Sequence, residues 1–228
     1  MSASARYSLV PLGALTILLP VVAMHLSWLV SSAEGHIEWC IPYLEPCTSI
    51  SRAGRYGTAY FLFKGLMIPA SVLLVFFWWA NARWLQQLGA RPMKGLVPLA
   101  VIASLALLLY TLTLGHAGGM FHLLRRIGVI GYMGLTFLLQ VRVSARLADT
   151  QLFARSGQRL SQFLMVVLLI GLVSVLHGVV SPENHNRWED VYEWWLVMLL
   201  AVHSLLLVKL WQRSGLDVTL TTRPPSSM

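Results

Sequence analysis

Six times along this chain the sequence turns apolar for roughly twenty residues: about 8–31, 57–80, 95–115, 122–141, 160–180 and 193–212. No other feature constrains the fold as strongly. At about 1.5 Å of rise per residue, a helix of that length crosses ~30 Å of hydrocarbon. Lipid offers no water to the backbone, so an unclosed chain must be helical throughout the hydrocarbon. The runs predict an all-α membrane protein: one domain over residues 1–228, folded as a six-transmembrane-helix bundle. Composition points the same way. Only 11% of residues are charged and 57% are hydrophobic, whereas soluble domains carry about 25% charge. The first run follows Arg6, is too long for the apolar region of a signal peptide and lacks a clear small-residue cleavage site. It is expected to be a retained helix.

Charge sets a direction. Arg6, Arg83, Arg91, Lys94, Arg142, Arg146, Arg155, Arg159, Lys209, Arg213 and Arg223 fall on one side of the six spans, 11 of the 17 basic residues. Glu34, Glu38, Glu45, Glu183, Glu189, Asp190 and Glu193 fall on the other, seven of the nine acids. Basic residues collect in cytoplasmic loops, so both termini are expected in the cytoplasm. The same rule accounts for the net charge of +8 without a nucleic-acid partner. No phosphate-binding loop, dinucleotide fingerprint or internal repeat is present, and no cofactor is assigned. Cys40 and Cys47 share the first outward loop with no third cysteine to compete. A disulfide between them is expected in an oxidising compartment.

The polar residues near the spans are one-sided. His25, His36, His116, His122, His177 and His185 all lie toward the acidic side, and His203 sits near mid-membrane by its position in the sixth run. Lys64 lies two turns into the second run, and Arg125 and Arg126 one turn into the fourth. Ionisable groups inside a membrane usually face the bundle or a wet cavity, where they find partners. His122, Arg125 and Arg126 are spaced i, i+3 and i+4 and share one helix face. Gly128, Gly131 and Gly134 follow, small enough for close helix packing. The expectation is an outward-facing polar cavity, walled by the segment "HAGGMFHLLRRIG", that binds an anion such as a lipid headgroup. Lys64, His116, His122, Arg125, Arg126, His203 and Glu193 are its candidate residues. Glu193, followed by Glu183, is the candidate internal counter-ion.

Three stretches together resemble one family. "HAGGMFHLLRRIGVIGYMGLTFLLQ" resembles the His-Asp/Ala-Gly-Gly…Gln passage of the damage-regulated autophagy modulator (DRAM) family of six-span membrane proteins. "NRWEDVYEWW" with the later "LDVTLTTR" resembles the entry to that family's last helix and its tail. "SISRAG" resembles its Ile-Ser-Asp-Thr-Gly loop. The resemblance covers nearly the whole chain. It implies membrane lipids as partners, in lipid handling or membrane organisation. By matching position it carries over Ser51, Gly54, His116, Gly118, Gly119, Gln140, Asp190 and Tyr192. The chain departs at Arg52, where the family has an acid, and in its Arg125–Arg126 pair. The compact loops suggest a bacterial-type member in the inner (plasma) membrane.

Two other chemistries compete. A haem-b electron carrier needs axial histidines at matching depth on facing helices; His25, His177 and His116 are the candidates, and His203 sits deeper. A metal-dependent membrane lipid hydrolase needs about three converging His/Asp/Glu ligands and an open position. Here the nearest pair, His116 and His122, spans a loop, and no metal-ligand set is assigned.

Overall fold

The computed structural model describes residues 4–221; Arg223 and the end of "LDVTLTTR" lie outside the described residues. In chain order the elements are β1 (Ser4–Ser8), α1 (Val10–Ala33), α2 (Ile50–Ala53), α3 (Gly57–Gln87), α4 (Leu96–Thr113), α5 (Gly119–Ala148), α6 (Ala154–Val180), α7 (Pro182–Ser214) and β2 (Asp217–Thr221). Helices α1, α3, α4, α5 and α6, with the Trp188–Ser214 part of α7, are each long and apolar enough to cross a membrane. The protein is an all-α, six-span bundle.

Four of the six helices clearly outrun the apolar stretches that predicted them. The run 57–80 continues to Gln87, 122–141 widens to Gly119–Ala148, 160–180 begins at Ala154, and 193–212 begins at Pro182. The added turns are polar, as in "NARWLQQ" and "VRVSARLA". A helix satisfies its own backbone in lipid and in water alike, so hydropathy marks the hydrocarbon rather than the helix.

The two short strands pair antiparallel, from Ser4 opposite Thr221 to Ser8 opposite Asp217. The Leu9 amide continues the ladder to the Leu216 carbonyl at 3.1 Å. The ends of the described chain therefore lie together on one face, as an even number of crossings requires. That face is called proximal below, and the opposite one distal.

Buried indoles tie the proximal half of the bundle together. Trp84 donates its indole N–H to Ser214 Oγ at 2.9 Å, and Trp211 donates to Asn81 Oδ1 at 3.2 Å. All three aromatic or amide side chains here are buried, and each buried N–H has the partner it needs. Between α4 and α5 the closest approach is at Gly128. A Cβ there would sit 2.7 Å from the Tyr110 amide nitrogen and 2.9 Å from the Ala106 carbonyl. The expected three-glycine face is shorter than its spacing suggested: Gly131 meets only the Ala106 methyl at 3.3 Å, and Gly134 stands in open space.

Helix α6 packs along half its length. Its buried residues are Gly157, Leu160, Leu164 and Val167; none from 168 to 180 is buried. The proximal half is held where Gly157 lies against the Leu147–Ala148 backbone. The distal half leans on α7, with Gly178 under the His185 ring. This half-packed helix opens the space in which the candidate site lies.

Candidate functional site

The polarity of "HAGGMFHLLRRIG" has a structural origin first. Helix α4 ends at Thr113, and Leu114 is extended, so the last α4 carbonyls have no donors within their own helix. Arg125 reaches back from α5 and donates from one Nη1 to Thr113 O at 3.0 Å and His116 O at 2.8 Å. Lys64 approaches from α3, donating to Leu112 O at 3.2 Å and to the Tyr60 hydroxyl at 2.6 Å. Cations placed at the negative end of a helix dipole are favourable. The turn between the helices needs Gly118, whose φ is +108°, a region that residues with a Cβ avoid. Gly119 begins α5. His116 lies against Phe121, ring centres 4.9 Å apart, and hydrogen-bonds Leu114 O.

The first distal loop is clamped onto α7. Three consecutive α7 residues hold it: Glu193 accepts the Ile50 N–H at 3.3 Å, Trp194 donates to Thr48 O at 2.9 Å and Trp195 donates to Tyr43 O at 2.9 Å. Within the loop, Cys40 and Cys47 form the expected disulfide. Tyr43 meets His25 Nε2 at 2.9 Å, and burial pushes its phenol pKa up. Ser49 caps α2 by accepting the Arg52 N–H at 3.1 Å. Glu34, at the other end of the loop, accepts the Thr58 N–H at the start of α3. That hydrogen bonding holds its carboxyl below the usual range.

Between this loop, α5, and the distal parts of α6 and α7 lies a cavity of about 600 Å³. His122, Arg125, Arg126, Glu193, Ser51, Asp190 and Tyr192, all singled out from the sequence, line it. Arg126 is exposed and makes no hydrogen bond or ion pair with a described residue. Glu193 shares the cavity, but among the described residues no ion pair joins it to Arg125 or Arg126; its carboxylate meets the Ile50 amide instead. The cavity opens sideways between α5 and α6, where Ile130 and Val175 are more than half exposed. Its walls are polar toward the distal loop and apolar toward the bundle side, with Met133 and Leu196.

Three expected cavity residues, Lys64, His116 and His203, lie elsewhere, as do the family-matched Gly54 and Gln140. Lys64 and His116 are occupied at the end of α4, as above. Gly54 is packed under Phe63, whose ring would lie 2.8 Å from an added Cβ. His203 is not near the cavity. Its Nε2 meets Ser144 Oγ at 2.9 Å, one turn from the end of α5 on the proximal side. Gln140 belongs to the same seam, donating to Leu200 O at 2.8 Å and Ser204 Oγ at 3.0 Å.

Sequence reasoning missed Arg55, Tyr110, His185 and Glu189 as cavity residues and read Arg52 only as a departure. One signal was present: "SISRAGR" puts two arginines in a loop on the acidic side of the chain. His185 stacks on His177 at 5.6 Å, and Tyr192 stands edge-on to both. His25 has both ring nitrogens hydrogen-bonded, to Val21 O and Tyr43. Among the described residues no three His, Cys, Asp or Glu side chains converge to hold a metal ion. No family model, curated protein or solved structure matches this chain.

Proposed function

We propose that the distal cavity binds the anionic headgroup of a membrane lipid, and that the protein acts in lipid handling or membrane organisation. One observation carries this reading: the cavity is basic where it meets the distal interface and opens sideways through an apolar rim. Four arginines, Arg52, Arg55, Arg125 and Arg126, face three carboxyls, Glu189, Asp190 and Glu193. Arginine's planar fork matches phosphate oxygens. A lipid entering between α5 and α6 leaves its chains against Ile130, Met133 and Val175 and brings its phosphate to Arg126. A water-soluble anion has no need of that side entrance. Lipid partners are also what the resemblance to the damage-regulated autophagy modulator family implies. With the positive-inside rule, the reading places the termini in the cytoplasm and the cavity in the outer leaflet of a bacterial inner membrane.

The test is native mass spectrometry of protein extracted from bilayers of mixed phosphatidylglycerol and phosphatidylcholine. The expected result is retained phosphatidylglycerol, reduced in Arg126→Ala and reduced further in Arg52→Ala/Arg126→Ala. Equal retention of both lipids by the wild type would overturn the proposal.

A further inference from the structure

The lipid cavity carries both signs of charge and keeps them apart. Arg52 and Arg55 come from the first distal loop and Arg125 and Arg126 from α5, whereas Glu189, Asp190 and Glu193 all come from α7. Positions 189, 190 and 193 share one side of that helix, since residues three and four apart are neighbours. Among the described residues no ion pair joins the two sets; the ion pairs are His36–Glu34 and Arg146–Asp149, away from the cavity. Arg52 donates to Cys47 O at 3.2 Å, Arg125 holds the end of α4, and Glu193 accepts the Ile50 N–H. The side chains of Arg55, Arg126, Glu189 and Asp190 make no hydrogen bond with a described residue.

A bare phosphate answers only half of this arrangement. It satisfies the guanidiniums, but carboxylates and phosphates both accept hydrogen bonds and give none, so the α7 wall repels the group that the arginines attract. Asp190 and Glu193 are half-buried, and charge beside hydrocarbon is poorly screened. That wall therefore calls for hydrogen-bond donors on the ligand. The sign of those donors follows from the balance of charge. The guanidiniums outnumber the carboxyls by one, which a single net negative charge neutralises. A phosphate diester supplies that charge when the rest of its headgroup is neutral, and the neutral donors of a lipid headgroup are hydroxyls.

We infer, on the footing of the lipid site proposed above, that the bound headgroup is a phosphate diester of a hydroxyl-bearing alcohol of the glycerol kind, its phosphate held by the arginines and its hydroxyls donating to Asp190 and Glu189 on α7. A cavity of about 600 Å³ has room for such a group. Arg126 and Ile130 are one turn apart on α5 and both line the cavity. Acyl chains lying along Ile130 thus bring the phosphate to Arg126 at the side entrance and direct the alcohol inward, to α7. Glu193 stays with the Ile50 amide, which leaves Asp190 and Glu189 as the acceptors. A site built to accept hydroxyls discriminates against an analogue without them, because its own polar groups are then left unpaired.

The experiment is native mass spectrometry of full-length protein from bilayers in which phosphatidylglycerol competes in turn with phosphatidylmethanol, phosphatidylethanolamine and phosphatidylcholine of the same acyl chains. Phosphatidylmethanol is the same monoanionic diester without a hydroxyl. Phosphatidylglycerol should be retained over it roughly tenfold, the worth of one hydrogen bond to a charged group. Asp190→Ala should bring the two lipids level by lowering phosphatidylglycerol alone, whereas Arg126→Ala should lower both. Glu189 is exposed and bonds no described residue, so Glu189→Ala keeps the test decisive if Asp190→Ala does not fold; it should narrow the preference severalfold. Equal retention of phosphatidylglycerol and phosphatidylmethanol, both above phosphatidylcholine, overturns this inference and leaves the anionic-lipid reading standing. Equal retention of all the lipids overturns both. Phosphatidylethanolamine retained above phosphatidylglycerol overturns the assignment of hydroxyls, because the α7 wall then takes a cation. An undiminished preference for phosphatidylglycerol over phosphatidylmethanol in folded Asp190→Ala and Glu189→Ala proteins overturns the role of α7.

Discussion

Arg125→Ala and Arg126→Ala are neighbours in sequence and should differ sharply in effect. The Arg125 guanidinium is buried and donates to the last α4 carbonyl, Thr113 O, at 3.0 Å and to the loop carbonyl His116 O at 2.8 Å. A hydrogen bond involving a charged group contributes about 1.5–3 kcal/mol. Two such bonds are lost, and water reaching the distal end recovers part, so the net cost should be about 3 kcal/mol. On the scaling for soluble chains of this size, that is a fall of roughly 6–12 °C in Tm. Arg126 is exposed and has no partner among the described residues, so its removal should change stability by no more than about 0.5 kcal/mol. Its effect belongs to the ligand. Unit charges 4 Å apart attract by about 1 kcal/mol in water and more near hydrocarbon, so loss of Arg126 should weaken headgroup binding about fivefold or more. The assays are thermal unfolding in detergent and lipid retention by native mass spectrometry, run on both variants. If Arg126→Ala lowers Tm as much as Arg125→Ala, or Arg125→Ala leaves Tm unchanged, the division of roles between the two arginines is wrong.

Three further outcomes are expected. Gly128→Ala should cost about 1–3 kcal/mol because its methyl meets α4 backbone, whereas Gly134→Ala, in open space, should be neutral or slightly stabilising; thermal unfolding of the pair separates them. Reporter fusions after residues 45 and 187 should be active outside the cell and those after 90 and 150 inactive, while Cys40 and Cys47 should react with maleimide only after reduction. An externally active fusion at 150 would sink the six-span topology. Finally, the folded Glu34 carboxyl lies below its ordinary pKa, so its clamp on α3 is in place above the ordinary carboxyl range and is lost as pH falls through the folded value. Protection of the Thr58 amide against hydrogen exchange, corrected for the intrinsic pH dependence of exchange, should therefore fall on acidification below that range, and Glu34→Gln should remove that fall.

The bundle was legible because hydrophobic periods of twenty residues have few physical solutions in lipid. Helix ends were not, since polar turns continue a helix beyond the hydrocarbon without changing its backbone bonding. The cavity was partly legible. Residues at i, i+3 and i+4 share a face wherever the helix goes, so His122, Arg125 and Arg126 arrived together. Which cation serves the fold and which is free could not be read, because the answer depends on where the α4 carbonyls end. The clamping of the first distal loop by Glu193, Trp194 and Trp195 also lay beyond sequence reading. It rests on contacts between residues more than a hundred positions apart, and no local pattern encodes them. The same contacts bring Arg52 and Arg55 to the cavity.

The central claim is that a lipid phosphate sits at Arg126. A density map of the protein in nanodiscs containing phosphatidylglycerol tests it most directly. The expected map shows a headgroup within hydrogen-bonding distance of the Arg126 guanidinium, with its acyl chains leaving between α5 and α6 past Ile130 and Val175. A map in which Arg126 turns away into the acyl-chain region or into bulk water, with no lipid between the two helices, would contradict it.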